Sequence, residues 1–227
     1  MVRDPRIERG LLAQLTKRRR QLESGDRPLG WKLGMGVPAA MGKLGIEAPL
    51  TGYLLESGRL HDGGTVELAG WSNPKLEPEV AAHMGADVGP DASREDVERA
   101  IAGYGVAIEL VDPDPDADDP EAILGANIFQ RHVVLGPLVE DASLDALRAR
   151  IQRGGEEAAA TGDVTEVTGH PVGLVQHVAN VLGHAGEHLR AGNVVICGSI
   201  VPALDVAAGD EITVEIERLG SLSVAFA

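Results

Sequence analysis

The residues of this chain best suited to chemistry begin at Leu76-Glu77-Pro78-Glu79-Val80. On an extended strand, residues two apart project from the same face, so Glu77 and Glu79 would stand side by side. On a helix of 3.6 residues per turn they would diverge by about 200°. Pro78 argues against a helix interior and places the segment at a strand start or edge. Two neighbouring carboxylates repel, and one stays protonated unless a cation sits between them. Glu-Pro-Glu alone also describes an exposed acidic edge. A second segment adds weight: in Val106-Ala107-Ile108-Glu109-Leu110-Val111, Glu109 stands inside an otherwise apolar strand, where a buried glutamate must be paired or coordinating. Three converging carboxylates would form an all-oxygen site, suited to Mg²⁺ or Mn²⁺ with waters completing the octahedron and unsuited to zinc. The other reading of Glu109 is an ion pair with a basic residue such as Lys75. Lys32, in Gly30-Trp31-Lys32-Leu33-Gly34, is the single charge of a glycine-flanked apolar strand. Close to carboxylates and a cation, a partly desolvated lysine can shuttle protons or hold a substrate carboxylate. Taken singly, it reads as a surface lysine.

The elements that must position these groups are short and punctuated by Gly and Pro. Patterning predicts a first helix over residues 4–22, with Ile7, Leu11, Leu12 and Leu15 on its apolar side. Strands are expected over 30–33, 51–55, 65–68 and 77–82. Ser93 followed by Asp96 signals a helix start like a capping box, with the helix running to about 102. Strands over 106–111 and 132–138 follow, separated by an exposed loop with five Asp and two Pro in residues 112–119. Ser143 is expected to cap a helix carrying Leu144, Leu147 and Ile151. A longer helix follows Pro171 and stops near Gly192. Three strands close the chain, over 193–198, 211–217 and 221–226. Strands dominate and helices are few and separated, which argues for α+β rather than a doubly wound sheet.

Other candidate residues read as structural. His177, His184 and His188 fall on one helical stripe, expected to face solvent, because His184 and His188 lack an evident third ligand for zinc. His170, in Gly-His-Pro, reads as a cap or turn residue and Cys197 as packing; Ser199 follows at a position able to line a pocket mouth.

Composition sets the remaining bounds. With 227 residues, 44% apolar and 24% charged, the chain is long enough to bury a core as one large domain or two small ones. No run approaches the roughly 18 apolar residues of a membrane span, and the start lacks the apolar stretch of a secretory signal. The single cysteine, Cys197, excludes an intrachain disulfide and fits a cytoplasmic protein. A net charge of −15 disfavours nucleic acid as a partner. The charge is uneven: residues 1–32 hold nine basic and four acidic residues, centred on Lys17, Arg18, Arg19 and Arg20. This is the solvated face of the first helix or a contact with an acidic neighbouring subunit, and we expect a homo-oligomer with no membrane partner. Aromatics are only 3%, so the core must be built from Ala, Val, Leu and Ile.

The run Lys32-Leu33-Gly34-Met35-Gly36-Val37-Pro38, continuing through Leu44-Gly45, Pro49 and Gly52-Tyr53-Leu54, resembles the start of the 2-keto-4-pentenoate hydratase family of the fumarylacetoacetate hydrolase superfamily. The Glu77-x-Glu79 pair with Glu109 thirty residues on resembles that family's metal-ligand pattern. Later landmarks are Asn127 ahead of Val133-Val134-Leu135-Gly136, then Gly169-His170-Pro171, Ala191-Gly192-Asn193 and the stretch from Ala208-Gly209-Asp210 to Leu219-Gly220. The resemblance implies an α+β fold with a mixed β-roll core and a few peripheral helices, with an N-terminal helical segment (1–28) preceding a catalytic β-roll domain (29–227). It implies Mg²⁺ or Mn²⁺ on Glu77, Glu79 and Glu109, Lys32 as the catalytic residue, and Lys32, Asn127 and Ser199 as substrate-binding residues. A third glutamate, where hydrolases of the superfamily usually carry Asp, points to the hydratase and decarboxylase branch. The family often has an acidic residue at Ser57 and Asp-Asn at Ala126-Asn127. The implied function is hydration of a 2-hydroxy-2,4-dienoate, a small 2-oxo acid substrate of aromatic meta-cleavage catabolism. Alternatives are 2-oxo-3-enedioate (4-oxalocrotonate) decarboxylation, acylpyruvate-type C–C hydrolysis, and a non-catalytic subunit partnering a homologue.

Overall fold

Asp4 opens the first helix, α1 (Pro5–Glu23), by accepting a 2.9 Å hydrogen bond from the Arg6 N–H, with Pro5 supplying a preset φ at the first turn. A computed structural model describes residues 4–227. After α1 come β1 (Pro28–Gly34), α2 (Pro38–Leu44), β2 (Leu50–Leu55), β3 (Arg59–Leu60), β4 (Gly64–Val66), β5 (Lys75–Met84) and α3 (Arg94–Ala100). They are followed by β6 (Ile101–Val111), α4 (Pro120–Gly125), β7 (Gln130–Leu135), β8 (Ala149–Arg153), β9 (Glu156–Thr161) and α5 (Pro171–His184). The chain closes with β10 (Val194–Ser199), β11 (Leu204–Asp205), β12 (Glu211–Ile216) and β13 (Gly220–Phe226).

The larger sheet has the order β2-β1-β10-β5-β6-β7-β3, with β11 added beside β5; β1–β10 and β3–β7 are parallel and its other pairs antiparallel. The smaller sheet is β4-β13-β12-β8-β9. This is the expected mixed α+β architecture. One core lies between the sheets, where Leu76, Val80, Ile108 and Leu110 meet Ile151, Ile212, Val214 and Leu222. A second joins α1, α3 and α5 to the larger sheet through Leu15, Val97, Val175, Val178 and Leu182. A third, with Ala81, Ala107, Val133 and Ile196, lies on the same face of that sheet as Glu79 and Glu109, since residues two apart share a face. Almost all of this is aliphatic, as the composition requires.

Several elements depart from expectation for identifiable reasons. Residues 143–148 are not helical: the Ser143 hydroxyl accepts from Asp145 N–H, but Ala146 takes φ 52° and the chain passes directly into β8. Leu144, Leu147 and Ile151 are nevertheless all buried in the inter-sheet core. A loop followed by a strand therefore reproduces a burial spacing that suits a helix. Helix α5 stops at His184, eight residues short of Gly192, because Gly186 turns to φ 72° and Glu187 N–H closes back on Leu182 O at 2.8 Å. Pro78 sits in the middle of a central strand, opposite Ile108, not at a strand start or edge. Its carbonyl is directed at the β10 side, where it accepts from Ile200 N–H. There the β10 register shifts between Ile196 and Ser199, so the missing proline N–H faces a bulge rather than a regular ladder.

The basic segment is only partly solvated. Arg18 is buried, its guanidinium 4.6 Å from the centre of the Trp31 ring and 3.5 Å from Glu187, whereas Leu12, expected on the apolar side, is 62% exposed. The acidic loop is also more structural than expected. The Asp112 carboxylate accepts from Ser72 and Asn73 N–H groups and pairs with Arg131 at 2.8 Å. Arg131 also covers the Trp71 ring, which stacks on His132. Asp119 caps α4. No described helix is long and apolar enough to cross a membrane.

Candidate active site

Antiparallel pairing of β5 with β6 sets Glu77 directly opposite Glu109, and cross-strand partners share a face. Glu79 lies two residues further along that face and opposite Ser199 of β10. One carboxylate oxygen from each of Glu77, Glu79 and Glu109 lies within 4.8 Å of the others. Glu79 and Glu109 are completely buried and Glu77 is half-buried. Lys32 reaches the cluster from β1, whose register places it beside Ile196 of β10 and Gly52 of β2. It is 1% exposed, and its Nζ lies 2.5 Å from Glu109 Oε1. The ion-pair reading of Glu109 therefore holds with a different partner: Lys75 instead binds Asp205 on β11.

The position of the lysine depends on one glycine. A Cβ on Gly52 would lie 2.8 Å from Lys32 Cγ and 3.0 Å from Asn127 Oδ1, so only glycine leaves room for the lysine stem at this point. Asn127 is buried and both ends of its amide are used. Its Oδ1 accepts from Tyr53 N–H at 2.9 Å, and its Nδ2 donates to Tyr53 O at 3.0 Å. The Ser199 hydroxyl donates to Val201 O at 2.7 Å. Ser57 lies elsewhere, exposed and bonded to Asp26.

The electrostatics follow from burial. Desolvation is the main force raising the Glu79 carboxyl well above the ordinary range, reinforced by the charges of Glu109 and Glu77. Glu109 is pushed up to about 7 by burial, with Lys32 pulling the other way. Burial also raises Glu77, opposed by Lys32 and Lys75. Glu79 Oε2 accepts a 2.6 Å bond from Gly198 N–H, an amide freed by the β10 bulge. Glu79 Oε1 and Glu109 Oε2 are buried and accept no hydrogen bond, and Glu109 Oε1 meets only the Lys32 ammonium. Buried acceptors without donors are costly, and one ammonium cannot neutralise three carboxylates. The arrangement fits a hard divalent cation, which takes carboxylate oxygens and tolerates their mutual approach.

The other sequence candidates lie elsewhere. His170 caps α5, its Nδ1 accepting from Val172 N–H, and Cys197 is buried in the core, with its thiol pushed up by burial. The histidine stripe is broken: His177 is half-buried and donates to Pro49 O at 2.9 Å, while His188 lies beyond the end of α5. Two contributors left no signal in residue types, because they are backbone groups: the Gly198 N–H on Glu79, and the Ile128 carbonyl, 3.4 Å from Lys32 Nζ.

Comparison with known proteins shows similarity over most of the chain. The chain is 33% identical over 215 residues to 4-oxalocrotonate decarboxylase of Pseudomonas putida, covering 92% of this chain and 81% of that protein. It is 33% identical over 218 residues to 2-hydroxyhexa-2,4-dienoate hydratase of Comamonas testosteroni, covering 89% and 80%. A solved structure of 4-oxalocrotonate decarboxylase from Pseudomonas putida G7, complexed with magnesium and adipate, superimposes with a TM-score of 0.88 at 31% identity, covering 94% of this chain and 83% of that one. With the sequence profile of the fumarylacetoacetate (FAA) hydrolase C-terminal family matching residues 17–227, this chain belongs to that family.

Proposed function

We propose that this protein is a metal-dependent hydro-lyase that adds water to a 2-hydroxy-2,4-dienoate, by way of its 2-oxo-enoate form. The observation that carries the reading is the convergence of three carboxylates, with unsatisfied buried oxygens, on a buried lysine. Similarity to a dienoate hydratase over most of the chain supports it. Glu77, Glu79 and Glu109 would hold the divalent cation, Mg²⁺ or Mn²⁺, which would supply Lewis-acid polarisation of the keto group of a 2-oxo acid and so favour its enolate. Lys32 is the catalytic residue: its Nζ, fixed against Glu109, holds or delivers the proton exchanged when dienol and 2-oxo-3-enoate interconvert. Water then adds at the carbon conjugate to the ketone. Lys32 and Ser199 border the substrate, and the buried walls around them exclude bulk water.

A second reading, decarboxylation of a 2-oxo-3-enedioate, is favoured by the TM-score of 0.88 to a decarboxylase holding magnesium and the dicarboxylate adipate. It uses the same enolate stabilisation and the same residues. Product analysis separates the two. With Mg²⁺, we expect 2-hydroxypenta-2,4-dienoate to yield the hydrated 4-hydroxy-2-oxo acid. Release of CO₂ from 2-oxo-3-hexenedioate, without hydration of the dienoate, would replace the first reading by the second.

Metal binding should depend on pH in a defined direction. Glu109 holds its proton up to about 7, above its ordinary carboxylate range. Its contribution to metal-free stability is therefore present below about pH 4.5 and lost as pH rises through about 7. A cation must displace that proton, so its affinity falls as pH drops below 7. His83, His132 and His177 are held below their ordinary range by burial and oppose the metal-free trend, so the difference between loaded and unloaded protein is the clean measurement. The rise in Tm with Mg²⁺ is expected to be large at pH 8 and nearly absent at pH 5.5. An equal rise at both values would contradict the assignment.

The N-terminal helix supplies a further expectation. Lys17 and Arg20 are exposed on a chain of net charge −15, and we propose that α1 contacts an acidic neighbouring copy. Light scattering should then show a homo-oligomer that weakens between 50 mM and 500 mM NaCl. A monomer at micromolar concentration would remove the idea.

A further inference from the structure

Asn127, Ile128 and Phe129 occupy consecutive left-handed conformations, with φ of 53°, 51° and 61°. None is glycine, and Ile128 is β-branched, the residue class for which this region is most crowded. Such a run persists only where its surroundings over-determine it, and such strain gathers at functional sites. Here the restraints are visible. Asn127 grips both backbone groups of Tyr53, and Phe129 N–H closes on Ala126 O at 3.1 Å. Asp112 N–H holds Phe129 O at 3.1 Å. The Ile128 side chain is buried over Gly34, where a Cβ would lie 2.7 Å from its Cγ2.

The product of this strained turn is a single aimed group. The Ile128 carbonyl points at Lys32 Nζ, 3.4 Å away, while Glu109 lies on the same ammonium at 2.5 Å. A lysine stem has several rotatable bonds, and a carboxylate that also serves as a ligand cannot alone fix the ammonium. A neutral carbonyl on a braced turn can. Asn127 is buried and spends its amide oxygen and one of its two amide N–H groups on the Tyr53 backbone.

We propose that the Asn127–Phe129 turn positions Lys32, with Asn127 acting as a positioning residue through Tyr53 and the Ile128 carbonyl rather than as a substrate ligand. The inference rests on the reading of Lys32 as the catalytic residue.

The test compares wild type with Asn127→Ala and Asn127→Asp, which retains the acceptor for Tyr53 N–H. Steady-state kinetics with Mg²⁺ are read alongside the ¹⁵Nζ signal of Lys32 in the metal-free protein, its proton exchange slowed by burial. For Asn127→Ala we expect kcat to fall at least tenfold with KM changed less than twofold, and the Lys32 signal to move or broaden. Asn127→Asp should recover part of both. Should the alanine variant not fold, the aspartate variant carries both measurements. A rise in KM with kcat preserved would make Asn127 a substrate ligand and overturn the proposal. So would a lower Tm with kcat and the Lys32 signal unchanged, which would leave it a structural residue only. If wild type turns over no 2-oxo-enoate while the Lys32 signal still responds to Asn127, the functional reading fails and the positioning survives.

Discussion

Replacing Glu79 by Gln is expected to abolish the rise in melting temperature that Mg²⁺ gives, while leaving the metal-free protein no less stable. Gln keeps the size of the side chain, and its amide oxygen can still accept the Gly198 N–H that Glu79 Oε2 receives at 2.6 Å. What it removes is one of three carboxylates confined within 4.8 Å, in a place where burial and the other two charges already press Glu79 towards its neutral form. Losing that charge relieves repulsion in the metal-free state and removes a ligand in the loaded state. At a cation concentration 100-fold above Kd, wild type should gain about 2.7 kcal/mol from binding, and the variant almost none. Turnover should fall by on the order of 10³-fold, since transition-state charge is no longer stabilised. Full retention of the Mg²⁺-dependent stabilisation would sink the ligand assignment.

Lys32→Met should separate the lysine's electrostatic role from its chemical one. Lys32 is 1% exposed and its partner Glu109 is fully buried, and breaking a buried pair from one side costs about 3–5 kcal/mol because the remaining charge is left uncompensated. The loss should be larger at pH 8 than at pH 6, because below about 7 Glu109 can take a proton instead of its partner. Mg²⁺ should restore much of the lost stability, as the cation replaces the missing positive charge. Activity should not return with it: removal of a positioned general acid or base lowers turnover by about 10²–10⁴-fold. A metal-loaded Lys32→Met protein with near-wild-type turnover would show that Lys32 has only an electrostatic part.

The site was legible in the sequence to the extent that its chemistry sits in side chains on strands. Glu77 and Glu79 share a face because a strand repeats every two residues, and Glu109 stood out as a charge inside an apolar run. Lys32 was visible for the same reason, although its partner was not, because which strand lies beside β1 is a matter of topology. The groups that remained hidden belong to the backbone. Gly198 donates to Glu79 because β10 bulges, and that bulge also lets Pro78 occupy a central strand, against the usual confinement of proline to edges. The Ile128 carbonyl is aimed by a turn whose residues, Asn-Ile-Phe, carry no glycine to announce it. In the fold, the misread stretch is 143–151. Leu144, Leu147 and Ile151 are spaced as on a helix and are all buried, but the buried surface they share belongs to a loop and a strand.

The chain's two tryptophans divide the molecule between them. Trp31, 1% exposed beneath Arg18, is the immediate neighbour of Lys32, whereas Trp71 is half-buried against His132 and Arg131 on the approach to β5. Their fluorescence therefore separates by environment, a blue-shifted emitter shielded from acrylamide and a redder one within its reach. With Trp71→Phe, the remaining signal becomes an intrinsic optical probe on the strand that carries Lys32, able to follow occupancy of the carboxylate cluster in real time without a label.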